Sequence, residues 1–219
     1  MSSLMRITSV MAMEDYADRG CPWAGLVERG LMFLVAGVHI KVLGKFSENQ
    51  IVSAGTYERG VKGASCLRDY FIADENGNNI AVGASAWMVC DLEKRRILRP
   101  TTERLPWQMQ DNPCIIGNVD YKKIAIPDDM EFRAERKVRF SDLDVNGHVN
   151  NSVYGDIASD YIDMDIFEKG ITDITITYHK ESSLGDTLSI YTKRETGRAV
   201  VRAQVGDRLC FDLEVKGNF

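Results

Sequence analysis

Histidine and proline are both scarce in this chain, and neither is spread evenly. Three histidines and five cysteines (positions 21, 66, 90, 114 and 210) occur in 219 residues. No two cysteines form a Cys-x-x-Cys pair, and no histidine stands at zinc-finger spacing from them, so no metal site is expected. The cysteines read as small buried or half-buried thiols of a reducing cytosol. Phosphate-cradling loops and dinucleotide fingerprints are also missing, so no cofactor is expected. Positive charge is in deficit: 27 Lys and Arg face 32 Asp and Glu, for a net charge of −5. That balance argues against a general nucleic-acid binder. The longest apolar run, Leu31 to Val38, carries Gly37 and is followed by His39 and Lys41. It is too short to cross a bilayer. The N-terminus has neither a basic-then-apolar signal pattern nor an Arg- and Ser-rich transit segment. The expectation is a cytoplasmic protein with no membrane partner.

Four of the five prolines, Pro100, Pro106, Pro113 and Pro127, lie between Arg99 and Met130. Such a stretch cannot be a central strand or a long helix. It reads as a linker over 99–130, with one helical turn near Thr102 to Leu105, between a unit at 1–98 and a unit at 131–219. A hydrophobic content of 44% allows each to bury a core. The first unit starts with a helix, Leu4 to Asp18, stopped by Gly20 and Pro22. Strands follow at Leu31 to Val42, Gln50 to Glu58, Ala64 to Ala73 and Asn79 to Cys90, the last two forming a hairpin around Glu75-Asn-Gly-Asn-Asn79. The second unit starts with a strand at Arg133 to Phe140. A helix spans about Val149 to Glu168, and four strands follow: Ile171 to Glu181, Asp186 to Arg194, Ala199 to Val205 and Arg208 to Val215. Each unit is thus a helix followed by a strand meander, an α+β pattern repeated in architecture without readable sequence identity.

Between the strand and helix of the second unit runs Ser141-Asp-Leu-Asp-Val-Asn-Gly-His148-Val-Asn-Asn-Ser-Val-Tyr154. The helix after it is apolar nearly all round, with only Ser152, Asp156, Ser159, Asp160 and Asp163 forming a polar wedge, so other structure must wrap it. Asp144, Asn146 and His148 stand at alternate positions just ahead of its N-terminus, where free N–H groups and the helix dipole favour developing negative charge. On spacing alone, Asp144 and Asn146 read as turn and capping residues. The run Asp-Leu-Asp-Val-Asn-Gly-His-Val-Asn-Asn, however, closely resembles the signature of the acyl-ACP thioesterases. The resemblance extends to Arg68-Asp-Tyr-Phe-Ile72, to Ser85-Ala-Trp-Met88 and to the stretch from Arg95-Arg96 to Pro100. It implies a double hotdog, in which each of two units wraps an antiparallel sheet around a long helix.

Matched to the family, Tyr178-His-Lys-Glu181-Ser182 places Glu181 on the catalytic glutamate. Ser182 falls where plant members carry a cysteine once cast as a nucleophile, so a thiolate mechanism is excluded there. The resemblance implies hydrolysis of the thioester of fatty acyl-acyl carrier protein, with Glu181 and His148 activating water. Asn146 would hold the carbonyl or the water, aided by N–H groups at the helix start, and Asp144 would orient its neighbours. The reverse assignment, with Asp144 as the base, stays open, as do hydrolysis of acyl-CoA and non-catalytic acyl binding. The implied partner is an acidic acyl carrier protein, steered by basic residues such as Lys94, Arg95, Arg96 and Arg99, with Lys122 and Lys123. By the same resemblance the acyl chain lies in the first unit.

A hotdog unit begins with a strand ahead of its helix, and helical periodicity here starts at about Leu4. The first unit should therefore lack its initial strand and have one strand fewer than the second. Its exposed edge would invite pairing with another chain, and pairing with a second copy would make a homodimer.

Overall fold

The computed structural model describes residues 1–101, 105, 110, 112 and 119–219. Most of the expected helical turn at Thr102 to Leu105 lies outside them. The chain forms two compact units, Ile7–Tyr121 and Lys122–Phe219, with Met1–Arg6 counted in the second.

In the N-terminal unit, α1 (Ser2–Asp18) and a short α2 (Trp23–Val27) precede β1 (Leu31–Val42), β2 (Ser53–Lys62), β3 (Ser65–Ala73), β4 (Asn79–Asp91) and β5 (Arg96–Leu98). The antiparallel order is β2-β3-β4-β1. β4 is longer than β3, which starts at Ser65 opposite Met88. The overhang is filled by β5, which pairs Leu98, Ile97 and Arg96 with Val89, Cys90 and Asp91. No strand precedes α1 among the described residues, yet each unit has five strands among them. The expected deficit of one strand is therefore corrected: β4 extends past β3 far enough to template another strand at Arg96–Leu98.

α1 packs its Thr8, Ala12 and Tyr16 inward, a four-residue spacing that keeps them on one face. The Tyr16 ring stacks on Phe33 of β1 at 5.0 Å, and Phe33 meets Trp87 edge-on at 6.4 Å. Charge is buried beside these rings. The Arg68 guanidinium lies 4.5 Å from the Tyr16 centroid and donates to Asp15 at 2.7 Å. Arg19 bridges Asp15 at 2.7 Å and the fully buried Glu58 at 2.8 Å. Burial pushes the Glu58 carboxyl up, but hydrogen bonds from Arg19 and the Gln110 N–H outweigh it and hold the group below its usual range.

In the C-terminal unit, β6 (Glu131–Lys137) leads through a 3₁₀ turn (Phe140–Asp142) to α3 (Val153–Ser159) and α4 (Met164–Lys169). β7 (Ile171–Tyr178), β8 (Thr187–Glu195), β9 (Arg198–Val205) and β10 (Arg208–Gly217) complete it, in the order β7-β10-β9-β8-β6. Alternation along β10 sets its two faces. Phe211, Leu213 and Val215 are fully buried, and Phe211 meets Tyr154 of α3 at 4.9 Å. Asp212 and Glu214 point the other way, to Arg202 and Arg198. α3 admits the first turn of α1 at Gly155, where a Cβ would stand 2.9 Å from the Met5 sulfur.

The single helix expected over Val149 to Glu168 is in fact two. Ser159 Oγ bonds back to the Gly155 carbonyl at 2.7 Å, a contact that competes with helix propagation. Tyr161 and Ile162 then close tighter turns on Ala158 and Ser159. Asp163 is extended, and Arg194 of β8 holds both Asp163 and Asp165.

Because its folded-state pKa is depressed, Glu58 contributes stability that is complete above about pH 4.3, the unfolded glutamate value. That contribution is lost as pH falls through the lower folded value. Glu58→Gln should destabilise the protein by about 3 kcal/mol at neutral pH, because it leaves buried arginines without their anion. Urea titrations at several pH values should show the gap to wild type closing below about pH 4.

Candidate functional site

The loop between the 3₁₀ turn and α3 is built by carboxylates. Asp142, at the end of the turn, takes a two-pronged hydrogen bond from Arg136 (2.7 and 2.8 Å) and a third from the Arg139 N–H at 2.7 Å. The Arg136 hydrogen bond, above all, holds the Asp142 carboxyl below its usual range. Asp144 then folds the chain back on itself. Its Oδ1 accepts the N–H groups of Asn146 (2.8 Å) and His148 (3.4 Å), and its own N–H donates to the His148 carbonyl at 2.8 Å. Gly147 supplies the left-handed turn, with φ +78°.

The loop is fastened to the end of β7 by backbone. The Val149 N–H donates to the Ser182 carbonyl at 2.9 Å, and His148 pairs with Ser183 in an isolated antiparallel bridge. Below them the Tyr154 hydroxyl stands 3.0 Å from Ser182 Oγ and accepts the Ser182 N–H at 3.1 Å. Ser182 is fully buried, so it is a brace under the loop rather than a surface turn residue.

This register brings His148 and Glu181 together: Nε2 lies 3.4 Å from Oε2. The two side chains are 36% and 55% exposed, so water reaches both. The other histidines are committed elsewhere, His39 to the Asp120 carbonyl and His179 to Asp212. Asp144 reaches the pair through the loop backbone. Asn146 is exposed at the loop tip, and its side chain makes no hydrogen bond among the described residues.

Amides at the helix start, expected to help hold an oxyanion, are largely spent. Those of Asn146, Gly147 and His148 bond to Asp144, Val149 to Ser182, Asn150 to Asp142, and Ser152 and Val153 to Asn150. Sequence reasoning missed Arg136 and Asp142 as loop builders. The only signal was Asp142 itself, the first acid of Asp-Leu-Asp. Among the described residues no His, Cys, Asp and Glu side chains gather as a metal site, and no helix is long and apolar enough to cross a membrane.

Comparison with known proteins bears on this loop directly. A model of the acyl-ACP thioesterase N-terminal domain matches residues 1–105, and one of the C-terminal domain, containing the loop and β7, matches 126–216. The chain belongs to the acyl-ACP thioesterase family. Oleoyl-acyl carrier protein thioesterase 2 of Arabidopsis thaliana is 25% identical over 193 residues, 80% of this chain and 51% of its own length. An acyl-[acyl-carrier-protein] hydrolase of Cuphea viscosissima is 24% identical over 181 residues, 79% of this chain and 43% of its own. The chain thus spans about half the length of these relatives. Among solved structures, an acyl-ACP thioesterase of Bacteroides thetaiotaomicron superposes with a TM-score of 0.84 at 22% identity, over 99% of this chain and 88% of that one. The 12:0-ACP thioesterase of Umbellularia californica gives 0.83 at 19% identity, over 98% and 88%. The fold shared with these family members is the double hotdog.

If Asp142 anchors the loop, Asp142→Asn should speed hydrogen exchange at the amides of 143–150 by at least tenfold, the equivalent of losing roughly 1.4 kcal/mol of local protection. Strands β9 and β10 should keep wild-type exchange.

Proposed function

We propose that this protein hydrolyses the thioester of fatty acyl-acyl carrier protein, releasing the free fatty acid in fatty acid synthesis. The observation that carries the reading is the His148–Glu181 contact at 3.4 Å, on a loop and strand end that backbone bonds hold in register. A thioester needs an attacking water and a donor for the carbonyl oxygen, and its thiolate leaves readily without acid assistance. In this scheme Glu181 would accept the Nε2–H of His148, which would leave Nδ1 with a lone pair and orient the ring for general-base work. At 3.4 Å the pair stands further apart than a short hydrogen bond, as catalytic groups often do before substrate is bound.

Asn146 donates its side-chain amide to the carbonyl oxygen, a role favoured by the engagement of the neighbouring backbone amides and by the lack of another partner for that side chain. Asp144 shapes the loop. Because its carboxylate is occupied by two N–H groups, the alternative in which it is the base is the weaker one. Acyl-CoA hydrolysis would use the same residues, and a strong preference for oleoyl-CoA over oleoyl-acyl carrier protein in parallel assays would favour it. The buried free thiols Cys21, Cys66, Cys90 and Cys210 fit a reducing, cytoplasmic setting.

His148→Ala and Glu181→Gln should each reduce kcat on acyl-acyl carrier protein by about 10² or more, the usual scale of a lost general base. Ser182→Ala should keep most activity, because the buried hydroxyl bonds Tyr154 and water attacks. A covalent acyl adduct on Ser182, seen by mass spectrometry, would overturn the scheme.

A further inference from the structure

We propose that the surface around the catalytic loop is where the acidic carrier protein docks, through the exposed apolar side chains of Phe140, Val145 and Leu184 and the cations Lys137, Arg139 and Lys180. The inference rests on the hydrolase reading and names the part of this chain that recognises the protein half of the substrate.

Three segments converge at this end of the C-terminal sheet. The end of β6 joins the turn at 183–186 through the bond from the Val138 N–H to the Asp186 carbonyl at 2.8 Å. The catalytic loop joins the same turn through the His148–Ser183 bridge. The end of β7 joins β10 through the Lys180 N–H and the Leu209 carbonyl at 3.2 Å. Each segment presents an apolar or basic side chain to water. Val145, at the tip of the catalytic loop, is fully exposed, Phe140 is 81% exposed and Leu184 is 58% exposed. Apolar groups grouped on loops beside a reactive pair mark a contact surface more often than chance exposure.

Charge selects the partner. Of the carboxylates within these segments, Asp142 and Asp186 are paired with Arg136 and Arg208, while Glu181 faces His148 and Asp144 accepts loop amides. Lys137, Arg139 and Lys180 are exposed and make no ion pair among the described residues. Glu135 and Asp207 stand at the margin. On a chain of net charge −5, these three exposed cations are what an acidic partner would meet around the reactive pair. Exposed apolar side chains and cations on the segments that carry the reactive pair suit an acidic protein that presents an apolar helix face beside its thioester arm. The basic turn at Lys94 to Arg96, also exposed, lies in the other unit and has no exposed aromatic within it.

The test is direct titration of holo-acyl carrier protein by calorimetry, alongside turnover of oleoyl-acyl carrier protein and of the carrier-free thioester oleoyl-pantetheine. Reversing Lys137 and Lys180 to Glu should weaken carrier binding and raise KM for the carrier-borne substrate by about tenfold or more. Turnover of oleoyl-pantetheine should stay within about twofold, because the reactive pair is untouched. If that double variant fails to fold, the single reversals should each give about threefold. Phe140→Ser should weaken carrier binding as well. Unchanged carrier binding would overturn the proposal. So would a loss that instead follows reversal of Lys94, Arg95 and Arg96, or a wild-type dimer that Phe140→Ser dissociates. A wild-type protein inert on both thioesters yet binding the carrier through these cations would strike the hydrolase reading and leave the docking surface standing.

Discussion

One backbone hydrogen bond, from the Val149 N–H to the Ser182 carbonyl, holds the functional end of this molecule in register. His148 precedes the donor by one residue and Glu181 precedes the acceptor by one, so the bond sets how near the two side chains stand. A slip of one residue on either side would turn one of them to the opposite face. Tyr154 guards the register from below. Its hydroxyl caps the Ser182 N–H and Oγ while its ring packs on Phe211 of the central strand. Tyr154 thus links the core of the C-terminal unit to the strand end that carries Glu181.

The loop shows a division of labour between like groups. Four carboxylates, Asp142, Asp144, Glu181 and Asp186, lie in this region, and each meets a different partner: a bidentate arginine, backbone amides, an imidazole and Arg208. Two of them build the loop, whereas Glu181 and Asn146 are exposed, as the proposed roles for them require. The loop's N–H groups are spent on its own carboxylates and carbonyls, and in the proposed scheme a side chain, not the backbone, polarises the substrate carbonyl. A preorganised donor is worth most when it need not reorient during reaction.

Much of this was legible in the sequence where local rules decide. β1 was readable over its whole length because a buried strand appears as one apolar run. The loop's residues were readable because the acyl-ACP thioesterase signature is long. The misreadings came where tertiary partners override local pattern. The helix expected to reach Glu168 breaks because Arg194, far along the chain, draws Asp163 and Asp165 to itself. β5 went unseen because a three-residue strand has no periodicity, only the overhang of β4 to pair with. The amides at the helix start seemed open to a ligand because the sequence does not reveal that Asp142, Asp144 and Asn150 consume them. The buried cluster of Asp15, Glu58 and Arg68 was likewise invisible, since its members come from α1, β2 and β3.

The central claim is that His148 and Glu181 act as one unit, and a double-mutant cycle on kcat tests it most directly. The account predicts that the variant carrying both His148→Ala and Glu181→Gln is no slower than the worse single variant, since either loss disables the same step. Losses that multiply, with the double variant slower by the product of the two single effects, would contradict it and assign the two residues to independent roles.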